Sequence, residues 1–209
     1  MDYSELTVKS LLEKFSDSNP TPGGGSAAAL SGALAASLVA MVARITFSNK
    51  KYEDRAEEMR NIAAKADELR VRLLELVQED AKSYDAVSSA FKLPKDTDEE
   101  KAARRQAIQD ALKMAAFAPT MTLDSLKTLL PLALDVVEKG NPNCITDAVA
   151  STRLIEAAME TAIMNIHINL DSIKDEEFKS KSYSHTSAAM EEARPVFARA
   201  REAYLKTRE

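Results

Sequence analysis

A run of three glycines, Gly23-Gly24-Gly25, directly follows Pro20-Thr21-Pro22 and is the first feature of the sequence suited to chemistry. A glycine-rich turn that leads into a helix exposes backbone N–H groups without partners, and such groups can bind an anion. The spacing matches neither a Walker loop, which requires Gly-Lys-Ser or Gly-Lys-Thr, nor the dinucleotide pattern G-x-G-x-x-G. A tight turn that brings the next helix close to its neighbours explains the glycines equally well.

Asp80 interrupts an apolar stripe that runs through Leu73, Leu76 and Val87. A carboxyl group removed from water at such a position has a raised pKa, which suits a general acid or base. Tyr84 lies one helical turn further on, on the same side, where it can hydrogen-bond to the same bound group. Alternatively, this part of the helix is exposed, or Asp80 pairs with a lysine or an arginine.

Two polar groups lie at opposite ends of one predicted helix. Asn143 or Thr146 is expected to cap its start, and Asp147 falls in its first turn, where the helix dipole favours negative charge. Asn165 and Asn169 share one face of an otherwise apolar stretch further along, and buried amides require partners. About 27 Å of helix separates Asp147 from Asn165, so one small site within a single chain cannot hold both.

Cysteine and histidine offer little further chemistry in this chain. Cys144 is the single cysteine, which excludes an intrachain disulfide and a cysteine-cluster zinc site and indicates a cytoplasmic protein. We expect it to be inert, because no histidine lies near it in the sequence. The two histidines, His167 and His185, lack a metal-ligand spacing, so no metal site is expected.

Composition predicts helices as the elements that position these residues. The 209-residue chain is 45% hydrophobic and contains five glycines and no tryptophan, which favours helices over strands. This length predicts one domain over residues 1–209. The net charge of −5, with basic and acidic residues interleaved, excludes nucleic acid as an expected partner.

The pattern of apolar residues predicts an all-α fold, a compact bundle of six to eight helices. No residue from Thr21 to Ala43 is charged, and the alanine, glycine and serine content favours a buried core helix over a membrane span. This helix is expected to be capped by Ser26 and to cover Ala27–Phe47. Heptad spacing predicts one long amphipathic helix over Tyr52–Phe91. Later helices are predicted over Asp98–Ala118, Thr120–Lys139, Ile145–Leu170 and His185–Lys206.

Six motifs between about residues 5 and 180 occur in the same order as in a known protein family. They are Pro20-Thr21-Pro22-Gly23-Gly24-Gly25-Ser26, Lys51-Tyr52-Glu53-Asp54, Asp80 with Tyr84, Gly140-Asn141-Pro142-Asn143, Asp147, and Asn165-Ile166-His167-Ile168-Asn169-Leu170. In these motifs the chain resembles the formiminotetrahydrofolate cyclodeaminase family, which includes single-domain methenyltetrahydrofolate cyclohydrolases.

The resemblance implies an all-helical homodimer that binds a tetrahydrofolate derivative as its substrate, needs no other cofactor, and has its active site near the subunit interface. A two-fold axis would then bring Asp147 of one subunit towards Asn165 of the other. The resemblance implies Asp80, Asp147 and Tyr84 as catalytic residues, with either Asp80 or Asp147 as the group that transfers the proton. It implies as substrate-binding residues Gly23, Gly24, Gly25, Ser26, Asn143, Asn165 and Asn169.

The reaction implied by the resemblance is conversion of 5-formiminotetrahydrofolate to 5,10-methenyltetrahydrofolate and ammonia. An alternative is hydrolysis of methenyltetrahydrofolate to 10-formyltetrahydrofolate, which would use the same pocket and the same kind of acid or base. A second alternative is a non-catalytic helical dimer that binds a partner through its long heptad helix.

Overall fold

The fold is a bundle of α-helices joined by short connections. A computed structural model describes residues 2–207, and within that range it contains helices and no strand. Seven α-helices are present there, and the all-α prediction is confirmed. They are α1 (Val8–Phe15), α2 (Gly24–Phe47), α3 (Ala56–Phe91), α4 (Asp98–Ala115), α5 (Phe117–Lys139), α6 (Ile145–Leu170) and α7 (Glu176–Lys206).

Helix α2 is the centre of the bundle and packs against α3, α5 and α6. Its small residues allow close approach: a Cβ on Gly32 would lie 2.8 Å from Leu126 of α5 and 3.1 Å from Leu73 of α3. Among the described residues, α2 is also the one helix whose length and composition would allow it to cross a membrane, yet 61% of its most apolar window is buried inside the fold. The predicted alanine-rich core helix is confirmed.

One face of α2 is not covered by any other part of residues 2–207. Leu34 is 54% exposed and Ile45 is 41% exposed. Ala27, Leu38 and Met41 follow the same stripe at helical spacing and are partly exposed. Because this part of α2 carries hardly any charge, the uncovered face is a strip of apolar side chains along most of the helix. We refer to these five residues as the α2 strip.

Helix α3 is the predicted long amphipathic helix and spans about 54 Å. It begins at Ala56 rather than Tyr52, because Lys50–Arg55 forms a separate 3-10 helix. The expected apolar stripe is buried through most of its length, and its members include Met59, Ile62, Ala66, Leu69, Leu73 and Leu76. The stripe holds α3 against α2, so Asp80 occupies a fixed position near the first turn of α2.

Three further helix boundaries differ from the prediction, each because a local group replaces the expected signal. Gly23 is the N-cap of α2, and the helix begins at Gly24, so Ser26 lies inside the first turn and does not cap it. Pro119 lies in the first turn of α5, where its missing N–H costs nothing, and the break comes earlier, at Ala116. Helix α7 begins well before His185 because the Asp175 side chain caps it.

Candidate functional site

A cleft of about 300 Å³ lies where the start of α2 meets the C-terminal parts of α3 and α6. It brings together seven of the ten residues expected from the resemblance. They are Gly23, Gly24, Gly25, Asp80, Tyr84, Asn165 and Asn169. Ser26, an eighth, lies directly behind Asp80 and contacts it.

Asp80 is anchored by Ser26, whose side chain is fully buried. The Ser26 hydroxyl oxygen lies 2.8 Å from Oδ2 of Asp80. Burial raises the pKa of the Asp80 carboxyl above its ordinary value, and the hydrogen bonds from the hydroxyl and backbone N–H of Ser26 oppose that rise. None of the ion pairs formed within residues 2–207 includes Asp80. The cleft therefore holds one partly buried carboxyl group that keeps its proton to a higher pH than an ordinary aspartate does.

Gly24 and Gly25 leave room for two polar side chains, which a Cβ at either position would displace. A Cβ on Gly25 would lie 2.6 Å from Cγ of Asp80, and a Cβ on Gly24 would lie 3.0 Å from Nδ2 of Asn165. Both glycines belong to the first turn of α2, whose N–H groups have no acceptor within the helix, and Gly23 supplies no side-chain cap. The glycine run thus combines the two roles left open by the sequence: close approach and unpaired donors.

The two asparagines form the wall of the cleft opposite Asp80. Asn165 donates from Nδ2 to the carbonyl oxygen of Thr161, 2.8 Å away, and Asn169 donates in the same way to the carbonyl oxygen of Asn165. Each amide is thereby fixed to its own helix, as expected for amides in an apolar stretch. The side-chain oxygens are then the groups that can accept a hydrogen bond from a ligand.

The mouth of the cleft is formed by larger, apolar side chains. Tyr84 is 47% exposed and Ile168 is 65% exposed, and both line the cleft together with Val87. Apolar side chains beside a few polar groups are typical of clefts that bind small molecules. Sequence reasoning missed Ile168, although an apolar residue between two asparagines on a partly exposed helix face was a usable signal.

Asn143 and Asp147 do not line the cleft. Both lie at the opposite end of α6, and Asp147 is about 27 Å from Asn165 along the helix. Asp147 is partly exposed, while Asn143 is exposed beside the turn that precedes α6. The separation inferred from the sequence is therefore present in the fold, and within one subunit these two residues cannot share a ligand with Asp80.

The start of α6 is built differently from the sequence prediction. Neither Asn143 nor Thr146 caps it: the N-cap is Cys144, which makes no side-chain cap bond. Instead, Oδ1 of Asn141 accepts the N–H of Asn143 at 3.0 Å and caps the short 3-10 helix Pro142–Cys144. The N–H of Asn141 donates to Oγ1 of Thr46 at 2.9 Å, so this turn is fixed to the C-terminal end of α2.

The cysteine and both histidines lie outside the cleft and make structural contacts. Burial raises the pKa of the Cys144 thiol. Nε2 of His167 lies 3.0 Å from Oγ1 of Thr186, and Nε2 of His185 lies 2.8 Å from Oδ1 of Asp124. In the part of the chain that the structure describes, no group of three or more His, Cys, Asp or Glu side chains could hold a metal ion. A site without a metal stays a prediction.

Comparison with known proteins identifies relatives over nearly the whole chain. The family model described as formiminotransferase-cyclodeaminase matches residues 7–193. A methenyltetrahydrofolate cyclohydrolase from Methylorubrum extorquens is 37% identical over 187 residues, covering 90% of each chain. A formimidoyltransferase-cyclodeaminase from Mus musculus is 29% identical over 190 residues, which cover 91% of this chain and 35% of the mouse protein.

A solved structure has the same fold. The crystal structure of a formiminotetrahydrofolate cyclodeaminase from Thermotoga maritima superposes with a TM-score of 0.86 at 28% sequence identity, and the match covers 96% of both chains. Relatives of this length therefore include one named for hydrolysis and one named for deamination.

Proposed function

The chain belongs to the formiminotransferase-cyclodeaminase family of folate one-carbon enzymes, and from that premise we propose that it is a formiminotetrahydrofolate cyclodeaminase. The substrate is 5-formiminotetrahydrofolate, and the products are 5,10-methenyltetrahydrofolate and ammonia. The observation that supports this reaction best is Asp80, a carboxyl group with a raised pKa in a cleft lined by fixed amides.

The reaction needs a group that protonates the formimino nitrogen, removes the proton from N10 and then protonates the leaving amino group. N10 attacks the formimino carbon and closes a five-membered ring, and protonated Asp80 delivers its proton to the formimino nitrogen. The ionised carboxylate then takes the proton from N10. The same proton passes to the amino group, the C–N bond breaks, and ammonia leaves as the methenyl cation forms. Asp80 ends ionised and regains a proton from solvent, so a raised pKa favours the starting state.

The other cleft residues position the substrate in this proposal. The oxygens of Asn165 and Asn169 accept hydrogen bonds from the edge of the pterin, and Tyr84 orients the one-carbon unit. The N–H groups of Gly24 and Gly25 hold a carbonyl or anionic group at the start of α2. These contacts would hold N10 and the formimino carbon close together.

Methenyltetrahydrofolate cyclohydrolase is the second candidate, and the Methylorubrum relative favours it because the match covers 90% of each chain. Here water attacks the methenyl carbon, and ionised Asp80 takes a proton from the water. Asp80 then gives this proton to N5, the C–N5 bond breaks, and the remaining hydroxyl proton is released to solvent as 10-formyltetrahydrofolate forms. The same cleft serves both reactions, but hydrolysis starts from ionised Asp80 and cyclodeamination from protonated Asp80.

We further propose that the enzyme is a homodimer that buries the α2 strip. The start of α2 lies at the cleft, beside Asn165, and its end lies at the turn that precedes Asp147. A two-fold axis through the middle of α2 would pair two strips antiparallel over about 27 Å. The cleft of each subunit would then lie beside the Asn143 and Asp147 end of the other, which accounts for the two remaining residues implied by the resemblance.

The first experiment follows the near-ultraviolet absorbance of methenyltetrahydrofolate. Purified protein is supplied with 5-formiminotetrahydrofolate in one cuvette and with methenyltetrahydrofolate in the other. We expect the chromophore to appear with release of ammonia in the first. Accelerated loss of the chromophore in the second cuvette alone would support the cyclohydrolase. No change in either would contradict both reactions and leave a non-catalytic binding protein.

A further inference from the structure

The Ser26 hydroxyl lies within hydrogen-bonding distance of two oxygen atoms but carries one hydrogen. Its hydroxyl oxygen lies 2.8 Å from Oδ2 of Asp80 and 3.0 Å from the backbone carbonyl oxygen of Val77. A hydroxyl carries one hydrogen, and a backbone carbonyl can only accept. The hydroxyl of Ser26 therefore donates its hydrogen to one of these two oxygens at a time, and the other short distance needs a different explanation.

Two arrangements of hydrogens satisfy these distances, and they differ in the charge on Asp80. When Asp80 is ionised, Ser26 donates to the carboxylate, and the carbonyl of Val77 keeps its own bond within α3. When Asp80 is protonated, its hydroxyl donates to Ser26, which in turn donates to Val77. Every group stays paired in both arrangements, and only the Ser26 hydrogen has to rotate.

We propose that Ser26 is a positioning residue that pairs with Asp80 in both protonation states, so that Asp80 gains and loses a proton without moving. This role differs from the substrate contact implied by the family resemblance, because Ser26 is fully buried behind Asp80 and lines no part of the cleft. The inference rests on the proposed function in one respect: the proton that Asp80 gains and loses is the proton transferred in the proposed reaction.

No side chain among the described residues that line the cleft pairs with the carboxyl group of Asp80. Of the residues that line the cleft on α2, α3, α4 and α6, Tyr84 is the one other titratable group, and none is a lysine, an arginine or a histidine. Ser83 directs its hydroxyl to the backbone oxygen of Asp80 rather than to the carboxyl. Ser26 is thus the described side chain that hydrogen-bonds to the carboxyl itself.

The test measures the pKa of Asp80 directly, by carbon-13 NMR of the aspartate carboxyl groups, with the Asp80 signal identified by its loss in Asp80→Asn. Ser26→Ala removes the partner of both forms of Asp80, but the lost bond to the charged carboxylate is the stronger of the two, so we expect its Asp80 pKa to rise by about one pH unit above that of the wild type. Ser26→Cys replaces the hydroxyl by a slightly larger and weaker donor, so its Asp80 pKa should fall between the other two.

The matched control is Ser125→Ala. Ser125 is also buried in a helix, but its hydroxyl donates to the backbone oxygen of Met121 and to no carboxyl group. We expect the Asp80 pKa to stay at its wild-type value in this variant. Helical circular dichroism of all variants should match the wild type, since none of them enlarges a side chain beyond a sulfur atom in place of an oxygen.

Turnover gives a second readout. In Ser26→Ala the pH profile of kcat should move towards higher pH by the same shift, while KM changes little. An Asp80 pKa that is unchanged in Ser26→Ala would overturn the proposal, whatever the activity. If wild-type protein converts neither folate, the proposed function fails, yet the NMR titration still decides the role of Ser26.

Discussion

The backbone of Gly25 and the carboxyl group of Asp80 are packed against each other without room for a side chain. A Cβ on Gly25 would lie 2.6 Å from Cγ of Asp80, closer than two such atoms approach in proteins. The contact joins the first turn of α2 to α3 and decides where the carboxyl group lies. A change at Gly25 therefore acts on the cleft through Asp80.

Gly25→Ala should displace the Asp80 carboxyl and lower turnover by about 100-fold, because a shift of about 1 Å at a reacting group can have that effect. The fold should survive, since the displaced atoms belong to the end of a side chain. Turnover with the folate substrates and helical circular dichroism measure the two effects.

The control for this variant is Gly32→Ala on the same helix. Its new methyl group would crowd Leu73 and Leu126 in the core and touch no cleft residue. We expect a lower midpoint of thermal unfolding with kcat unchanged. Equal losses of kcat in the two alanine variants would show that crowding of α2, rather than displacement of Asp80, reduces activity.

Asp80→Asn should abolish turnover but change stability in a pH-dependent way. Because burial raises the folded-state pKa of Asp80 above 3.8, the folded protein binds a proton that the unfolded chain has already released. The stabilisation by the proton on Asp80 is complete below about pH 3.8, where the unfolded chain is protonated as well. It is lost as the pH rises from there through the raised pKa of the folded protein. The free energy of unfolding of the wild type, relative to Asp80→Asn, should therefore fall over this interval and then level off.

Urea unfolding of both proteins at a series of pH values measures this difference, and titration of the other carboxyl groups cancels in the comparison. A difference that rises with pH over the same range would mean that the folded-state pKa of Asp80 is lowered. The assignment of Asp80 as a group that carries a proton into the reaction would then be wrong.

Mixing two inactive variants tests the proposed interface site. Asp80→Asn and Asp147→Asn should each lose turnover as separate proteins. If each active site combines Asp80 of one subunit with Asp147 of the other, a heterodimer of the two variants retains one intact site. After unfolding and refolding together in equal amounts, the mixture should recover about a quarter of the wild-type turnover, because about half of the dimers are then mixed.

Sedimentation equilibrium supplies the control for the mixing experiment. A dimer mass for each variant shows that subunits are available for exchange, and Leu34→Glu within the α2 strip should shift that mass towards the monomer. A mixture without turnover would mean that Asp80 and Asp147 do not share a site. A monomer at all concentrations of the wild type would contradict the dimer itself.

Tyr84→Phe keeps the ring at the mouth of the cleft and removes its hydroxyl. The loss of one hydrogen bond to the bound folate should raise KM by about three- to tenfold, with a smaller fall in kcat. Steady-state kinetics on both folate substrates checks this expectation. Unchanged values of both constants would show that the hydroxyl makes no contact with the substrate.

The sequence predicted the helices well because their signals are local. The uncharged stretch that forms α2 and the heptads of α3 indicate which helix faces are buried, and these signals do not depend on distant parts of the chain. The predicted ends were less accurate where a single side chain determines the helix start, as the cap of Asp175 does for α7. A cap is one hydrogen bond, and several nearby residues can supply it.

The cleft was predicted only in part, because its geometry depends on contacts between distant segments. An aspartate on an apolar stripe indicated that Asp80 is unusual, and the resemblance placed Gly24 and Asn165 in the same site. Nothing local in the sequence indicated that Ser26 contacts Asp80 instead of capping α2, since both roles suit a serine at a helix start. That difference arises from how α3 packs across α2.

The three walls of the cleft come from segments that leave the ribosome at different times. The glycine run and Asp80 belong to the first half of the chain, whereas Asn165 and Asn169 come from its last quarter. A domain generally folds as a unit, so the contact between Asp80 and Ser26 and the amide wall become stable together. The proposed folate-binding cleft is therefore complete only after most of the chain has been made, and a product truncated before Asn165 lacks the amide wall that faces Asp80.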